Sequence, residues 1–178
     1  MNRRRTNILP LGLFSAMIMA VAFTACKVSY TLSGASISPL AKTVSIAYIP
    51  NNAPMVAPIL SSTLRDALQD RFMRQTRLNV VREGGDLDFE GEITGYTSTP
   101  SAVTTDGTDS GAARYRLTIT VRMRFTNAIE PQLNYDKSFS QFGEYNATSL
   151  LQTVEPVLIP EIVDMLVEDI FNAAVSNW

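Results

Sequence analysis

The strongest constraint on the fold is the stretch from Arg114 to Phe125, in which apolar and polar side chains alternate without interruption. A period of two places successive side chains on opposite faces of a β-strand, so one face packs in a core and the other meets solvent. The apolar face carries Tyr115, Leu117, Ile119, Val121, Met123 and Phe125. The opposite face carries Arg114, Arg116, Arg122 and Arg124, together with Thr118 and Thr120.

Other periodic segments predict four more strands and two helices around this strand. Alternation or β-prone composition predicts strands over Thr43–Ile49, Leu78–Arg82, Asp86–Tyr96 and, more weakly, Leu133–Phe142. Apolar residues at helical spacing predict helices over Pro54–Arg77 and Leu158–Ser176, with Pro160 in the first turn of the second helix. The order predicts an α+β fold, a mixed four- to five-stranded sheet with two helices packed on one face.

Two connections in this scheme can also be predicted. The strand after the first helix should run parallel to the first strand, by the rule for crossover connections. Gly84 and Gly85 are typical of a hairpin turn, so we expect Leu78–Arg82 to pair antiparallel with Asp86–Tyr96. The segment Thr97–Ala112 is rich in Ser, Thr, Gly, Pro and Asp without periodicity, which predicts a long surface loop.

The single cysteine, Cys26, follows a segment with the features of a bacterial lipoprotein export signal. Arginines at positions 3–5 precede an apolar run from Ile8 to Phe23, and the small residues Thr24 and Ala25 come directly before the cysteine. The apolar run is short for a permanent membrane span, which takes about 20 residues. We therefore expect it to be removed by cleavage.

A lone cysteine can also be a buried core thiol or a catalytic nucleophile. A catalytic thiol needs a base, and the chain contains no histidine, whereas the position of Cys26 suits acylation. We predict a signal peptide over 1–25, a lipidated tether over 26–42 and a single domain over 43–178. The protein would then be held on a membrane through its N-terminal lipid.

Composition limits the partners of the mature chain. Removing residues 1–25 leaves 12 Lys and Arg against 17 Asp and Glu, so the protein is mildly acidic. Nucleic-acid binding requires a basic surface, so we expect no nucleic-acid partner. No disulfide can form within the chain because there is no second cysteine.

Without histidine, carboxylates are the main candidates for catalysis or metal binding. Asp86, Asp88, Glu90 and Glu92 are spaced by two, on one face of a predicted strand. They could hold a hard cation or form a paired carboxylate site. The simpler interpretation is a solvated face that pairs across strands with the four arginines. We predict no catalytic residue, no metal site and no cofactor.

The arginines also allow two interpretations. They can lie on an exposed strand face, where their charges balance those of nearby acidic residues. Alternatively, their guanidinium groups can bind phosphate and carboxylate groups. An outer-membrane lipid rich in phosphate would be such a ligand. The candidate contact residues for this lipid or for a partner are Arg114, Arg116, Arg122 and Arg124.

Several segments, in their pattern and order, resemble the lipopolysaccharide-assembly lipoprotein family LptE. They are SGASI (33–37), KTVSIAYIPN (42–51), GDLDFEGEITGY (85–96), RLTITVRMRFTN (116–127) and EDIFNAAVSNW (168–178). The resemblance implies a lipoprotein that plugs and helps to assemble the LptD β-barrel translocon and contacts lipopolysaccharide directly. It implies two helices against a mixed sheet and a subunit that is not an enzyme.

The resemblance also implies a location on the periplasmic side of the outer membrane. Lys27 to Tyr30, directly after Cys26, include neither an aspartate of the kind that retains lipoproteins in the inner membrane nor an acidic surface-export run. The competing hypothesis is a non-catalytic accessory lipoprotein of another envelope machine, of the pilotin or barrel-assembly type. A third is a carboxylate-dependent hydrolase.

Overall fold

A computed structural model describes residues 37–55, 57–101 and 113–175. Its strands are β1 (Thr43–Ile46), β2 (Asn79–Val81), β3 (Leu87–Ser101), β4 (Arg114–Asn127) and β5 (Tyr135–Asn146). Its helices are α1 (Leu60–Gln75), between β1 and β2, and α2 (Leu151–Val175), after β5. The predicted signal peptide, Cys26 and the tether up to residue 36 lie outside the described residues.

The five strands form one mixed sheet in the order β2-β1-β3-β4-β5. β1 runs parallel to both β2 and β3, and the pairs β3–β4 and β4–β5 are antiparallel. The predicted α+β class is therefore confirmed, as is the parallel strand after the first helix. The prediction of a mixed sheet is also correct.

Both helices pack on one face of the sheet, and the core lies between them and the strands. The apolar side of β4 is central to this core: Leu117, Ile119, Val121, Met123 and Phe125 are at most 1% exposed. Phe72 of α1 lies 5.0 Å from Phe89 of β3 and 5.1 Å from Phe171 of α2, measured between ring centroids. The opposite face of the sheet carries the arginines, and neither α1 nor α2 lies over it.

The predicted hairpin at Gly84-Gly85 is wrong. β2 and β3 lie on opposite sides of β1, so the chain between them crosses over β1 instead of turning back beside β2. A Cβ atom on Gly85 would lie 2.5 Å from the Ser45 nitrogen and 2.8 Å from the Val44 carbonyl carbon. Gly85 is therefore required because the crossing backbone rests directly on β1.

Polar contacts hold this crossing in place. Asp86 Oδ2 accepts hydrogen bonds from the backbone amides of Lys42 (2.8 Å) and Thr43 (3.0 Å) and from the Thr43 hydroxyl (2.9 Å). These bonds, led by the one from the Lys42 amide, lower the pKa of the Asp86 carboxyl. The Gly85 amide donates to Ser45 Oγ (2.9 Å), and the Ser45 hydroxyl donates to Asp88. The start of β1 is thus tied to the crossing.

The second helix is longer than predicted, because α2 begins at Leu151 and contains Pro156 and Pro160 in its interior. Proline removes a helical hydrogen bond, which is why the sequence favours a later start. The early turns are held by tertiary contacts instead: Leu151 and Val154 pack on the core. Glu155 accepts a hydrogen bond of 2.5 Å from the Tyr96 hydroxyl.

Other element boundaries also differ from the prediction. β1 ends at Ile46, α1 extends only over Leu60–Gln75, and β5 continues to Asn146. The predicted loop Thr97–Ala112 is wrong in its first part, because Thr97–Ser101 pairs with β4 as the end of β3. The Ser and Thr side chains there suit a strand with an exposed face, and 102–112 lies outside the described residues.

The crossing predicts that Gly85→Ala destabilises the protein more than Gly84→Ala. Alanine at 85 meets fixed backbone and should cost about 1–3 kcal/mol, as overpacking does. Gly84 has φ of 67° and open space around it, so alanine there should cost only about 1 kcal/mol of backbone strain. Urea unfolding of both variants measures the difference. An equal or smaller loss for Gly85→Ala would contradict the proposed contact with β1.

Candidate functional site

The four predicted arginines lie on the open face of the sheet, but the structure separates them into two groups. Arg122 and Arg124 lie opposite Glu92 and Glu90, just beyond the part of β3 that pairs with β1, and Arg114 and Arg116 lie toward the other end of β4. Arg122 follows Arg116 by six positions along the strand, which is about 20 Å. One small ligand group therefore cannot contact both pairs.

The first group lines a groove, here called the Arg122 groove, of about 250 Å³. Its lining residues are Pro50, Glu90, Gly91, Glu92, Arg122, Arg124 and Asp136. Arg122 forms a two-pronged ion pair with Asp136, with Nε to Oδ1 at 2.8 Å and Nη2 to Oδ2 at 3.0 Å. Arg124 is more loosely held, 3.8 Å from Glu90 and 3.8 Å from Asp136. The groove has three carboxylates against two guanidinium groups, so it is not positive.

The second group, here called the Arg116 cluster, consists of Arg114, Arg116, Phe142 and Glu144. Arg116 Nη2 lies 2.9 Å from Glu144 Oε1, and its guanidinium lies 4.0 Å from the centroid of the Phe142 ring. Arg114 approaches Glu144 only to 4.0 Å, and its side chain is 65% exposed. With two guanidinium groups against one carboxylate, this cluster has a positive excess.

The acidic residues predicted on β3 do not form one site. Asp86 binds the start of β1 and Asp88 binds Ser45. Glu92 accepts a hydrogen bond from Asn52 at 2.7 Å. Within the part of the chain that the structure describes, no group of three or more acidic or cysteine side chains is arranged to hold a metal ion.

The predicted cross-strand pairing places Glu90 opposite Arg124 and Glu92 opposite Arg122, but among these acids only Glu90 forms an ion pair with an arginine. The other ion pairs of the arginines use Asp136 and Glu144 on β5, which the sequence analysis missed. One signal was present: Asp136 and Glu144 are eight residues apart, as are Arg116 and Arg124 on β4. The observed register places Arg124 opposite Asp136 and Arg116 opposite Glu144.

These ion pairs shift the titration of the β5 acids. The hydrogen bond from Arg122 lowers the pKa of Asp136, and that from Arg116 lowers the pKa of Glu144. A carboxyl whose pKa is lower when folded stabilises the protein above its unfolded pKa. That contribution is lost as the pH falls through the folded pKa.

We predict that Arg122→Gln raises the pKa of Asp136 toward the ordinary value of 3.8. Arg114→Gln is the matched control and should leave Asp136 unchanged, because Arg114 lies in the other cluster and contacts only Glu144 among the described acids. Carboxyl carbon shifts followed by NMR between pH 2 and 6 would give both values, roughly the range over which aspartates titrate. If the pKa of Asp136 does not change when Arg122 is replaced, the bidentate ion pair between Arg122 and Asp136 does not form in solution.

Across residues 37–55, 57–101 and 113–175, no helix is both long enough and apolar enough to cross a membrane.

Solved structures with a similar fold come from several bacteria. The hypothetical protein CT253 from Chlamydia trachomatis has a TM-score of 0.54 at 9% identity, covering 77% of this chain and 99% of that chain. Lipoprotein B from Nitrosomonas europaea has a TM-score of 0.48 at 13% identity, covering 80% of this chain and 86% of that chain. At these identities, the likeness to CT253 supports the fold alone. No curated protein sequence matches the chain.

The match to a family model is more informative. The model of the lipopolysaccharide-assembly family LptE matches residues 41–174. This range runs from just before β1 to the last turn of α2, and it includes the β1 crossing and both arginine groups. The match confirms the resemblance seen in the sequence. The chain therefore belongs to the LptE lipopolysaccharide-assembly family.

Proposed function

We propose that this protein is an outer-membrane lipoprotein, acylated at Cys26, that acts on the periplasmic side in lipopolysaccharide assembly. The observation that carries this proposal is the family match over residues 41–174. The arginines at 3–5, the apolar run that follows and the small residues before Cys26 support export and acylation. The protein contributes by binding and not by catalysis, as is typical of this family.

We further propose that its main partner is an LptD-type β-barrel, which it plugs and helps to assemble. This role comes from the family, and the polar, uncovered face of the sheet is compatible with contact to another protein. The alternative is a non-catalytic accessory lipoprotein of the pilotin or barrel-assembly type. An uncovered sheet face would serve that role equally well, and the family match is what supports the barrel.

For direct contact with lipopolysaccharide, the Arg116 cluster is the better candidate of the two arginine groups. Its positive excess favours a phosphate, and Arg114 has no carboxylate closer than 4.0 Å among the described residues. The Nε and Nη2 groups of Arg122 already donate hydrogen bonds to the Asp136 carboxylate. A phosphate would therefore have to displace that carboxylate. The exposed Phe142 ring adds apolar surface beside Arg116.

Two double variants test this assignment. Arg114→Gln with Arg116→Gln should weaken lipopolysaccharide binding about tenfold, because charge-assisted bonds to phosphate are lost. Arg122→Gln with Arg124→Gln is the matched control and should weaken it by no more than about threefold, since the groove it alters has no positive excess. Binding is measured on purified protein at two salt concentrations, and added salt should weaken it.

The outcomes separate the interpretations. If all four substitutions together leave binding unchanged in a folded protein, the arginines have no role in lipid contact. If the two pairs cause equal losses, the assignment to the Arg116 cluster is wrong. Thermal unfolding of each variant provides the control for folding, and we expect a loss of about 1 kcal/mol or less per exposed site.

A further inference from the structure

Among the described residues, no strand pairs with the outer edge of β5. β5 is the last strand in the sheet order, and its one described neighbour is β4. The amide of Ala147 donates to the carbonyl of Ala113, so odd-numbered positions direct their backbone groups toward β4. The even-numbered residues from Asp136 to Asn146 therefore point their N–H and C=O groups away from the sheet. All of these even-numbered residues are exposed.

Another edge of the sheet, along β3, differs from that of β5. β3 extends beyond the part that pairs with β1, and this extension contains Pro100. Proline lacks an N–H group and is one of the devices that keep an edge from pairing with another strand. β5 contains no proline over its twelve residues. A long edge of this kind normally pairs with a partner or is blocked, and β5 is not blocked by proline.

The charge next to this edge indicates what kind of strand would pair there. α2 lies over β5: Gln141 donates to Asp169 at 2.6 Å, and a Cβ on Gly143 would meet Leu158 and Ile162. α2 carries carboxylates and no basic residue. Glu161 lies three residues after Leu158, which faces Gly143 of β5, and Glu168 lies seven residues after Glu161, so the helical repeat places both on the side of α2 nearer β5. Both are exposed, and neither forms an ion pair with another described residue.

We propose that the outer edge of β5 is a docking site for an extended, lysine- or arginine-bearing strand of a partner protein. The partner strand adds to the sheet beside β5, with basic side chains toward the acidic flank of α2. A second copy fits less well, because pairing β5 with β5 would bring together two α2 helices that carry carboxylates and no basic residue, and each β5 supplies only one basic side chain, Lys137. This inference does not rest on phosphate binding, which uses side chains of the open face.

The test uses a ten-residue peptide of alternating Lys and Thr as the probe. On binding, the even-numbered amides of β5 should exchange more slowly with solvent, measured by NMR, while the odd-numbered amides, already bonded to β4, should change little. A peptide of the same Lys-Thr sequence that is N-methylated at every residue has the same charge but no backbone N–H donors, and it should bind at least tenfold more weakly. Equal affinity for the two peptides would overturn the proposal.

Variants of the protein complete the test. Ser138→Pro removes one outward N–H group of β5 and should weaken binding of the Lys-Thr peptide about tenfold, while Ser138→Ala should not. Should Ser138→Pro fail to fold, the pair Glu161→Gln and Glu168→Gln provides a second test. It should weaken peptide binding and reduce its dependence on salt.

Three results would contradict a basic partner strand. The first is protection of the even-numbered β5 amides in the free monomer, which would mean that the chain itself already covers the edge. The second is a dimer that Ser138→Pro dissociates, which would identify a second copy as the occupant. The third is peptide binding that is insensitive to the charges of Glu161 and Glu168.

Discussion

Burial of the apolar side of β4 beneath both helices organises the rest of the structure. Because side chains alternate along a strand, burying Leu117 to Phe125 forces the arginines onto the opposite, uncovered face. Four guanidinium groups on one strand repel each other unless carboxylates lie nearby. The neighbouring strands supply them, Glu90 from β3 and Asp136 and Glu144 from β5. The open face is therefore charged but locally balanced, except around Arg114.

The crossing of β1 has a second organising effect. It places β1 between β2 and β3 with the chain lying directly on its backbone, which requires glycine at position 85. The same crossing uses Asp86 to bind the start of β1 and Asp88 to bind Ser45. Asp86 and Asp88, two of the four acidic residues that the sequence suggests as a cation site, thus stabilise the fold instead.

Much of the fold could be predicted from the sequence, because strong local periodicity defines β4, both helices and the α+β class. The hairpin was mispredicted because Gly84 and Gly85 suit a tight turn as well as a close crossing, and only the contact with β1 distinguishes the two. The partners of the arginines were missed because the β4–β5 register depends on pairing between distant segments. The early start of α2 depends on tertiary contacts, among them the Tyr96–Glu155 hydrogen bond, that outweigh the local effect of proline.

The central claim is that this LptE-family chain is a lipid-anchored subunit of a lipopolysaccharide translocon. Its most direct test is purification of the tagged full-length protein from detergent-solubilised outer membranes, followed by identification of what it brings with it. We predict a large LptD-type β-barrel in stoichiometric amount, and loss of the tagged protein from the membrane fraction when Cys26 is replaced by alanine. Recovery of a secretin, or of no barrel at all, from membranes that contain the tagged protein would contradict the claim.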